Sequence, residues 1–400
     1  MFVKASERFA VPGFTANGIH AGIKENGIKD LALIYSNVPA KAAGVFTRNC
    51  FKAAPVLLDE VRLKSGAAQA VLINSGNANA ATGQTGYKDA IAVSGNIASK
   101  LNIDDKLVLV ASTGIIGRKL PVNKITSSIK KLVEGLRPNG LPAAAEAIMT
   151  TDKFPKMAYR KRVVGSKEIT VCGIAKGAGM IEPHMATMLA FIITDAYIDY
   201  NAMKTVFKQA VDKTFNMITV DGCMSTNDTA IILANGAAGN KELKGVSGNV
   251  ILFKEILLSV MSDLSKAMVR DGEGATKVIE IFVDEAKSLE EAKKVAYAIA
   301  NSNLVKTAFY GCDPNWGRII SAAGSAGVHF QADDVKLQFE EIPVFANGCG
   351  IYGNERKLSE IMSRENIRVL LKLGMGDKSY RVYTSDLSFE YIKINAHYHT

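Results

Sequence analysis

Short unbroken apolar runs alternate along the chain with longer segments whose apolar positions recur at helical spacing. Unbroken runs of about four to eight residues are typical of buried strands, and a 3.6-residue period is typical of amphipathic helices. The alternation predicts an α/β fold with strands and helices in layers. The predicted strands cover residues 70–73, 107–111 and 188–193, and the predicted helices cover residues 89–101, 122–136, 143–149, 202–217, 251–270 and 288–302.

Two predicted strands end in polar segments that contain glycine. Residues 74–76 (Asn-Ser-Gly) follow the strand 70–73, and residues 112–114 (Ser-Thr-Gly) follow the strand 107–111. Ligands in α/β folds bind beyond such strand ends. We therefore expect both segments to form polar loops beside a functional site.

Length and hydrophobic pattern together indicate two lobes. A chain of 400 residues exceeds what a single hydrophobic core usually organises. Within the predicted helix 89–101, Ile91, Ile97 and Leu101 are candidate core positions. The last part of the chain is rich in strand-like runs, at 367–373 and 381–384.

Composition excludes several classes of protein. Hydrophobic residues make up 48% of the chain and charged residues 22%, as in ordinary globular proteins. No apolar run approaches the roughly 20 residues that a membrane-spanning helix needs. The first eight residues lack the apolar core of a secretion signal. We therefore expect a cytoplasmic protein with no membrane partner.

The cysteines do not form a recognisable site. The count is odd and no Cys-x-x-Cys spacing occurs, which argues against a disulfide framework and against structural zinc. We expect buried thiols that pack as small apolar residues, and neither a metal nor a cofactor. The five residues are Cys50, Cys172, Cys223, Cys312 and Cys349.

A formal net charge of +9 raises nucleic-acid or nucleotide binding as an alternative. The densest basic run, 160–162, has no interleaved aromatic residues, so a solvated surface is the favoured interpretation. Residues 348–353 match the GxGxxG pattern, but Pro343 breaks the preceding apolar stretch and the next helix is short, which favours a structural turn. Trp316 is expected to be a packing anchor. We predict no nucleic-acid partner.

The segment 176–195 carries the candidate chemistry. A glycine-containing stretch that begins at Lys176 leads to Ala186 and Thr187, and an apolar run follows. The Thr187 hydroxyl could attack the preceding peptide carbonyl, and cleavage would free an α-amine with a pKa of roughly 7.7 to 8.0. Such an amine can serve as the base for a hydroxyl nucleophile. On spacing alone, a loop that feeds an ordinary core strand is the favoured alternative.

Several stretches in a fixed order carry a resemblance to a known family. They are residues 11–24 (VPGFTANGIHAGIK), 74–80 (NSGNANA), 112–117 (STGIIG), 176–195, 313–318 (DPNWGR) and 395–400. Together they resemble the glutamate N-acetyltransferases, also called ornithine acetyltransferases. The resemblance covers essentially the whole chain, and ordered blocks are more specific than any single motif.

The resemblance implies a fold and an activity. It implies a layered α/β sandwich with an N-terminal threonine nucleophile, whose precursor is cut into intertwined chains 1–186 and 187–400. Family members move an acetyl group from N-acetylornithine to glutamate through an acyl-threonine, in the cyclic route of arginine biosynthesis. Some members also use acetyl-CoA as donor, so it is a further candidate substrate here. A heterotetramer with two copies of each chain is implied as well.

The resemblance also assigns roles to residues. Thr187 would be the nucleophile, and Thr113 and Gly114 would supply the donors that an oxyanion needs. Without the resemblance, this pair indicates a turn and Lys176 indicates a solvated surface lysine. For Glu273, a loop acid facing water and a carboxylate with a cationic ligand are then equally favoured interpretations. A carboxylate after a helix end is unfavourable without a cationic partner, and an ornithine amine would serve for Glu273. The substrate-binding residues implied are Thr150, Lys176, Thr187, Glu273, Asn395 and Thr400.

Some details stay open. Thr151 directly follows Thr150, and the family's spacing to the cleavage site favours Thr150. His184 is expected to shape the loop or to assist self-cleavage. His397 and His399 depart from the usual family ending. An amidase or aminopeptidase with the same nucleophile is the alternative enzyme, and a catalytically silent scaffold would remain uncut.

Overall fold

The structure is a computed structural model that describes residues 9–25, 27–182 and 188–397. It has a layered α/β architecture, as predicted, and divides into two compact units. Unit 1 contains the chain up to Asn216 together with Cys223–Met268. Unit 2 contains Met217–Gly222 and the described chain from Val269 onward. The expectation of two lobes is confirmed.

Unit 1 is organised around an eight-stranded mixed sheet. Its strands are β1 (Phe14–Ile19), β2 (Leu31–Phe46), β3 (Ala67–Asn77), β4 (Val108–Ile115), β5 (Lys156–Val164), β6 (Lys167–Lys176), β7 (Leu189–Thr194) and β8 (Thr229–Ala234). The strand order is β4-β3-β2-β8-β7-β6-β5, and β1 pairs with β2. The pairs β3 with β4 and β7 with β8 are parallel, and the other pairs are antiparallel.

Helices cover both faces of this sheet. They are α1 (Ala54–Arg62), α2 (Gly83–Leu101), α3 (Val122–Glu134), α4 (Leu141–Ala147), α5 (Tyr200–Asp212) and α6 (Gly248–Arg270). Leu72 of β3 packs with Ile97 of α2 and Ile129 of α3. The next residue, Ile73, packs in a different cluster with Ala144 of α4. Because side chains alternate along a strand, burial on both faces produces the unbroken apolar run seen in the sequence.

Unit 2 contains a second sheet of six strands. Its elements are β9 (Val278–Ala286), α7 (Leu289–Ala300), α8 (Asn303–Tyr310), α9 (Trp316–Gly324), β10 (Lys336–Phe339), β11 (Ile342–Ala346), β12 (Cys349–Gly350), α10 (Glu355–Met362), β13 (Asn366–Lys372), β14 (Lys378–Ser385) and α11 (Phe389–His397). The order is β12-β11-β10-β13-β9-β14. Ile279, Ile281 and Val283 of β9 are fully buried in one cluster with Val295 and Ile299 of α7.

Most predicted elements are present, with differences at their ends. β3 and β4 stay paired through the polar segments, so Thr113 and Gly114 lie within β4 and not in a loop. Ile97 is fully buried, but Ile91 is 39% exposed and its assignment to the core was wrong. The predicted helix 288–302 corresponds to α7, which begins at Leu289 and ends at Ala300, and a further helix, α8, begins after it at Asn303.

The prediction of buried thiols is wrong for four cysteines. Cys172 lies in β6 and is buried, and burial raises the pKa of its thiol to about 12. Cys50, Cys223 and Cys312 are exposed and lie in irregular segments. Cys349 is exposed on the two-residue strand β12. Turns and sheet margins leave these side chains outside both cores.

The glycine-rich segment and the single tryptophan have structural roles in unit 2. Asn347 and Gly348 have φ angles of 51° and 71°, and they join β11 to β12 in a tight hairpin. The GxGxxG match is thus a turn, as predicted. The Trp316 ring lies 5.6 Å from the Phe345 ring, between centroids, so Trp316 is a packing anchor.

Candidate active site

Thr113 and Gly114 lie where two parallel strands of unit 1 end side by side. Asn74 of β3 is opposite Ser112 of β4, and Gly76 is opposite Gly114. The Ser112 hydroxyl donates a hydrogen bond of 2.6 Å to Asn74 Oδ1. Thr113 is only 4% exposed. The two polar segments therefore meet at one edge of the sheet, as the sequence predicts.

Only glycine fits at position 114 without a shift of the backbone. Its φ angle is +133°, a conformation that side chains strongly disfavour. A Cβ atom there would lie 2.4 Å from the carbonyl carbon of Gly76 and 2.5 Å from the nitrogen of Asn77. This contact fixes the backbone on both strands. A rigid backbone is suited to present hydrogen-bond donors at a fixed position.

Asn227 joins this edge to the loop before β8. Its side-chain amide donates to the carbonyl oxygens of Ala78, at 2.6 Å, and Ser112, at 2.8 Å. Asn227 is buried. One side chain therefore holds the carbonyl next to Thr113 and fixes the position of its own neighbour, Asp228.

Asp228 holds the entry to β7. Its Oδ1 accepts a hydrogen bond of 3.0 Å from the Met188 amide, and the Thr229 amide donates to the Met188 carbonyl, also at 3.0 Å. Asp228 is fully buried. Burial raises the pKa of Asp228 well above its ordinary value, although the Met188 amide and the charge of Lys176 act in the opposite direction. Met188 directly follows the predicted nucleophile, Thr187.

Lys176 ends β6 and is buried, so it is not a solvated surface lysine. Its ammonium nitrogen lies 2.6 Å from Thr150 Oγ1 and 3.7 Å from Asp152 Oδ2. Asp152 Oδ1 accepts hydrogen bonds from Lys156 Nζ at 2.6 Å and from the Gly177 amide at 2.7 Å. The structure thus brings the predicted pair Lys176 and Thr150 together around a buried carboxylate.

The lysines around Asp152 keep its carboxyl group ionised. They also outnumber it, so the cluster has an excess of positive charge. Burial alone would raise the pKa of Asp152, but the ammonium groups of Lys176 and Lys156 outweigh burial and hold this pKa below its ordinary value. Lys24 lies nearby and donates to the Met149 carbonyl at 3.0 Å; burial lowers the pKa of Lys24. A buried group of cations with fewer anions attracts an anionic ligand. This cluster is suited to a substrate carboxylate.

In unit 2, the predicted substrate-binding residues Glu273 and Asn395 contact each other. Glu273 lies beyond the end of α6 and is 8% exposed, and Asn395 Nδ2 donates to Glu273 Oε2 at 2.8 Å. A Cβ atom on Gly274 would lie 2.5 Å from the Tyr391 nitrogen, and the Ser388 hydroxyl donates to the Gly274 carbonyl at 2.6 Å. Helix α11 therefore packs closely on the turn that carries Glu273.

Several predicted site residues lie outside the described part of the chain. Their roles rest on the sequence. His397, at the end of α11, is described and exposed. The residues outside are His184, Ala186, Thr187, His399 and Thr400.

Sequence reasoning missed three polar residues that organise the site: Asp152, Asn227 and Asp228. Asn227 and Asp228 come directly before the apolar run that forms β8. Polar residues beside an apolar run predicted the functional segments 74–76 and 112–114. The same pattern at Asn227 and Asp228 could have identified these two residues. No periodic pattern marks Asp152, which lies in the irregular segment between α4 and β5.

Metal and membrane sites are not found in the described residues. Within residues 9–25, 27–182 and 188–397, no group of three or more His, Cys, Asp or Glu side chains is placed to hold a metal ion. Across the same residues, no helix has the length and apolar character to span a bilayer. The basic run in β5 is paired with acids, since Arg160 contacts Asp263 and Arg162 contacts Glu255.

Comparison with known proteins identifies full-length relatives. The model of the ArgJ family matches residues 15–400. The arginine biosynthesis bifunctional protein ArgJ of Geobacter sulfurreducens is 48% identical over 391 residues, which cover 98% of this chain and 100% of that protein. The protein of the same name from Thermotoga neapolitana is 45% identical over 398 residues, with coverage of 98% and 100%.

A solved structure agrees with this match. The crystal structure of arginine biosynthesis bifunctional protein ArgJ from Bacillus halodurans is similar with a TM-score of 0.50 and 35% sequence identity. The match covers 98% of that chain and 52% of this one. Because the family model spans nearly the entire sequence and the relatives match from end to end, the chain belongs to the ArgJ family of arginine biosynthesis proteins.

Proposed function

We propose that this protein is an acetyltransferase that moves an acetyl group from N-acetylornithine to glutamate, with Thr187 as its nucleophile. Family membership supports the pathway, since full-length relatives are named arginine biosynthesis bifunctional proteins. The observation that best supports Thr187 as the nucleophile is that Asn227 and Asp228 connect β4 to the start of β7. These consecutive residues hold the Ser112 carbonyl and the Met188 amide, so the edge with Thr113 lies beside the entry to β7.

The proposed reaction has two halves. The Thr187 hydroxyl attacks the acetyl carbonyl of N-acetylornithine, and the free α-amine of Thr187 takes the hydroxyl proton. Donors from Thr113 and Gly114 stabilise the oxyanion, and ornithine leaves with the proton. The amine of glutamate then attacks the acetyl-threonine, which gives N-acetylglutamate and restores Thr187. No cofactor is needed for these steps.

Substrate recognition would use buried charged side chains. Lys176, oriented by Thr150, would bind the carboxylate that both substrates carry. Glu273, held by Asn395, would bind a substrate ammonium group. Thr400 is assigned to substrate binding on the family resemblance. The positive cluster around Asp152 favours anionic amino-acid substrates over neutral peptides, which supports transfer over an amidase.

Self-cleavage after Ala186 is part of the proposal. Lys176 of β6 pairs directly with Leu189 of β7, so fragments 1–186 and 187–400 would remain joined by a sheet. The Bacillus halodurans chain covers about half of this one while matching almost completely itself, as expected of one fragment. A cytoplasmic heterotetramer with two copies of each fragment is the proposed assembly.

The test is the release of ornithine from N-acetylornithine, with and without an acceptor. Transfer predicts that ornithine and N-acetylglutamate form together and that ornithine release depends on glutamate. Release at the same rate without glutamate would contradict transfer and support the hydrolase. Formation of N-acetylglutamate from glutamate and acetyl-CoA would establish acetyl-CoA as a second donor.

A further inference from the structure

We propose that Lys24 selects glutamate as the acetyl acceptor by binding the side-chain carboxylate of glutamate. The inference rests on the proposed function and deepens it, since it assigns one group of one substrate to one cation. N-acetylornithine and glutamate share an α-carboxylate, but only glutamate carries a second carboxylate. The backbone, the stem and the ammonium group of Lys24 are each held beside the candidate active site.

The backbone of Lys24 is fixed by a buried carboxyl group. Asp30 is fully buried, and its Oδ2 accepts hydrogen bonds from the amides of Ile23 at 2.6 Å and Lys24 at 2.9 Å. Its Oδ1 accepts a hydrogen bond from the Ala21 amide, also at 2.6 Å. Three such bonds hold the connection between β1 and β2 in one conformation, so Lys24 leaves this loop in a fixed direction.

The stem of Lys24 packs on the edge of the sheet that carries the proposed oxyanion donors. A Cβ atom on Gly76 would lie 2.8 Å from Lys24 Cγ, so the stem occupies the space beside this glycine. Gly76 is opposite Gly114 in the pairing of β3 with β4. The Lys24 side chain therefore lies against the strand edge at which the acetyl carbonyl would be held.

The ammonium group of Lys24 lies beside the pair of residues proposed to bind the α-carboxylate. Lys24 Nζ donates to the Met149 carbonyl at 3.0 Å, and the residue after Met149 is Thr150. Thr150 Oγ1 lies 2.6 Å from Lys176 Nζ. An amino acid whose α-carboxylate binds Lys176 would thus have a second cation nearby.

Lys24 has hydrogen-bond donors left for a ligand. An ammonium group has three N–H donors, and the Met149 carbonyl accepts one of them. In the part of the chain that the structure describes, no carboxylate forms an ion pair with Lys24. Asp152, in contrast, forms ion pairs with Lys156 and Lys176. A ligand carboxylate would therefore meet in Lys24 a cation that is not already paired.

Electrostatics favour a carboxylate beside Lys24. Burial lowers the pKa of the Lys24 ammonium, and the charge of Lys176 acts in the same direction. The carboxylates of Asp30 and Asp152 act against both and do not outweigh them. A bound carboxylate would stabilise the cation that burial disfavours. Glu273, proposed to bind the ornithine ammonium, would repel this carboxylate, so glutamate needs a partner that ornithine does not.

The experiment compares glutamate with glutamine as acetyl acceptors for wild type and Lys24→Gln. Free glutamine has nearly the shape of glutamate but no charge on its side chain. Gln at position 24 keeps a donor for the Met149 carbonyl and removes the cation. The acetylated products are quantified by mass spectrometry, which gives kcat/KM for each acceptor. Lys29→Gln is the matched control, because Lys29 lies in the same connection and pairs with the partly exposed Glu146.

We expect kcat/KM for glutamate to fall about 10- to 100-fold in Lys24→Gln, the range for a lost hydrogen bond to a charged group. The value for glutamine should stay close to that of wild type, so the preference for glutamate falls by the same factor. Lys29→Gln should keep both values. Equal losses for glutamate and glutamine in Lys24→Gln would overturn the assignment, and so would an unchanged preference.

Two further readouts separate charge from packing and do not depend on how well Lys24→Gln folds. Wild type should prefer glutamate over glutamine by at least about 10-fold. Lys24→Arg keeps the cation and should retain most of this preference. Loss of the preference in Lys24→Arg would overturn the role of the charge. Transfer by wild type to both acceptors with equal kcat/KM would overturn only the role of Lys24, whereas transfer to neither would overturn the proposed function.

Discussion

The ammonium nitrogen of Lys176 lies 2.6 Å from the hydroxyl oxygen of Thr150. This contact joins the end of β6 to the segment after α4, and Asp152 lies beside it. Lys176 is buried, so the contact is not a loose surface pair. A lysine held in one orientation loses less freedom when it binds a carboxylate. The contact therefore explains how the proposed substrate lysine is preorganised.

Thr150→Val should weaken substrate binding, and Thr151→Val should not. Valine removes the oxygen that accepts from Lys176, and a hydrogen bond to a charged group contributes about 1.5–3 kcal/mol. We expect kcat/KM for N-acetylornithine to fall about 10- to 100-fold in Thr150→Val, measured as ornithine release. Thr151→Val is the matched control for the adjacent threonine. A similar loss in both variants would contradict the choice of Thr150.

Asp152→Asn should destabilise unit 1 strongly. The buried Lys156 and Lys176 would lose the charge of Asp152, and breaking a buried pair in this way costs about 3–5 kcal/mol. Asp263→Asn is the control, because the ion pair of Asp263 with Arg160 is exposed and contributes about 0–1 kcal/mol. The free energy of unfolding in urea at pH 7 gives both values. A loss below about 1 kcal/mol in Asp152→Asn would contradict the electrostatic role of Asp152.

The same carboxylate predicts a pH dependence. The folded pKa of Asp152 is held below the value of about 3.9 expected for an unfolded aspartate. The unfolded state therefore binds more protons in acid, so this contribution to stability is present above about pH 4 and is lost as the pH falls. Between pH 5 and pH 3, the free energy of unfolding should fall more steeply for wild type than for Asp152→Asn. If the free energy of unfolding fell equally for wild type and Asp152→Asn over this pH range, the lowered pKa of Asp152 in the folded state would be contradicted.

Gly114→Ala should abolish most acetyl transfer. A Cβ atom there overlaps the Gly76 backbone and would displace the donors proposed for the oxyanion, whose loss costs about 100- to 1000-fold in kcat. Gly117→Ala is the control, since Gly117 also has a positive φ angle of +80° but has open space around its Cβ position. We expect Gly117→Ala to keep kcat within a few-fold. Equal kcat values for the two variants would contradict the oxyanion assignment.

Glu273→Gln should raise the KM for N-acetylornithine. Gln keeps an oxygen for the hydrogen bond from Asn395 and removes the negative charge proposed to bind the substrate ammonium. Loss of a charged hydrogen bond predicts an increase of about 10- to 100-fold. The control is Glu285→Gln, which removes a partly exposed charge paired with Lys372 in the same unit. An unchanged KM in Glu273→Gln would remove Glu273 from the substrate site.

Much of the fold follows from local patterns in the sequence. The run that forms β7 and the helical spacing that forms α6 are both strong signals, and both elements were predicted within a few residues. Helix and strand ends were less predictable. β4 continues through Thr113 and Gly114 because β3 pairs with it, and pairing between distant segments leaves no local signature.

The sequence pointed to candidate site residues but not to how those in the described part of the chain are organised. The resemblance implied Lys176 and Thr150, whereas the position of Asp152 beside them depends on contacts between residues 150–156 and the end of β6. Asp228 illustrates the same limit. Its position before an apolar run is visible in the sequence, whereas its bond to Met188 follows from the parallel register of β7 and β8.

The intact mass of the freshly purified protein under denaturing conditions tests the proposed mechanism most directly, with Thr187→Ala as control. Self-cleavage predicts two species from the wild type, with the masses of residues 1–186 and 187–400, and one uncut species from Thr187→Ala. Ornithine release should accompany only the cut protein. A single wild-type species of 42.9 kDa that still transfers acetyl groups would contradict Thr187 as a freed N-terminal nucleophile.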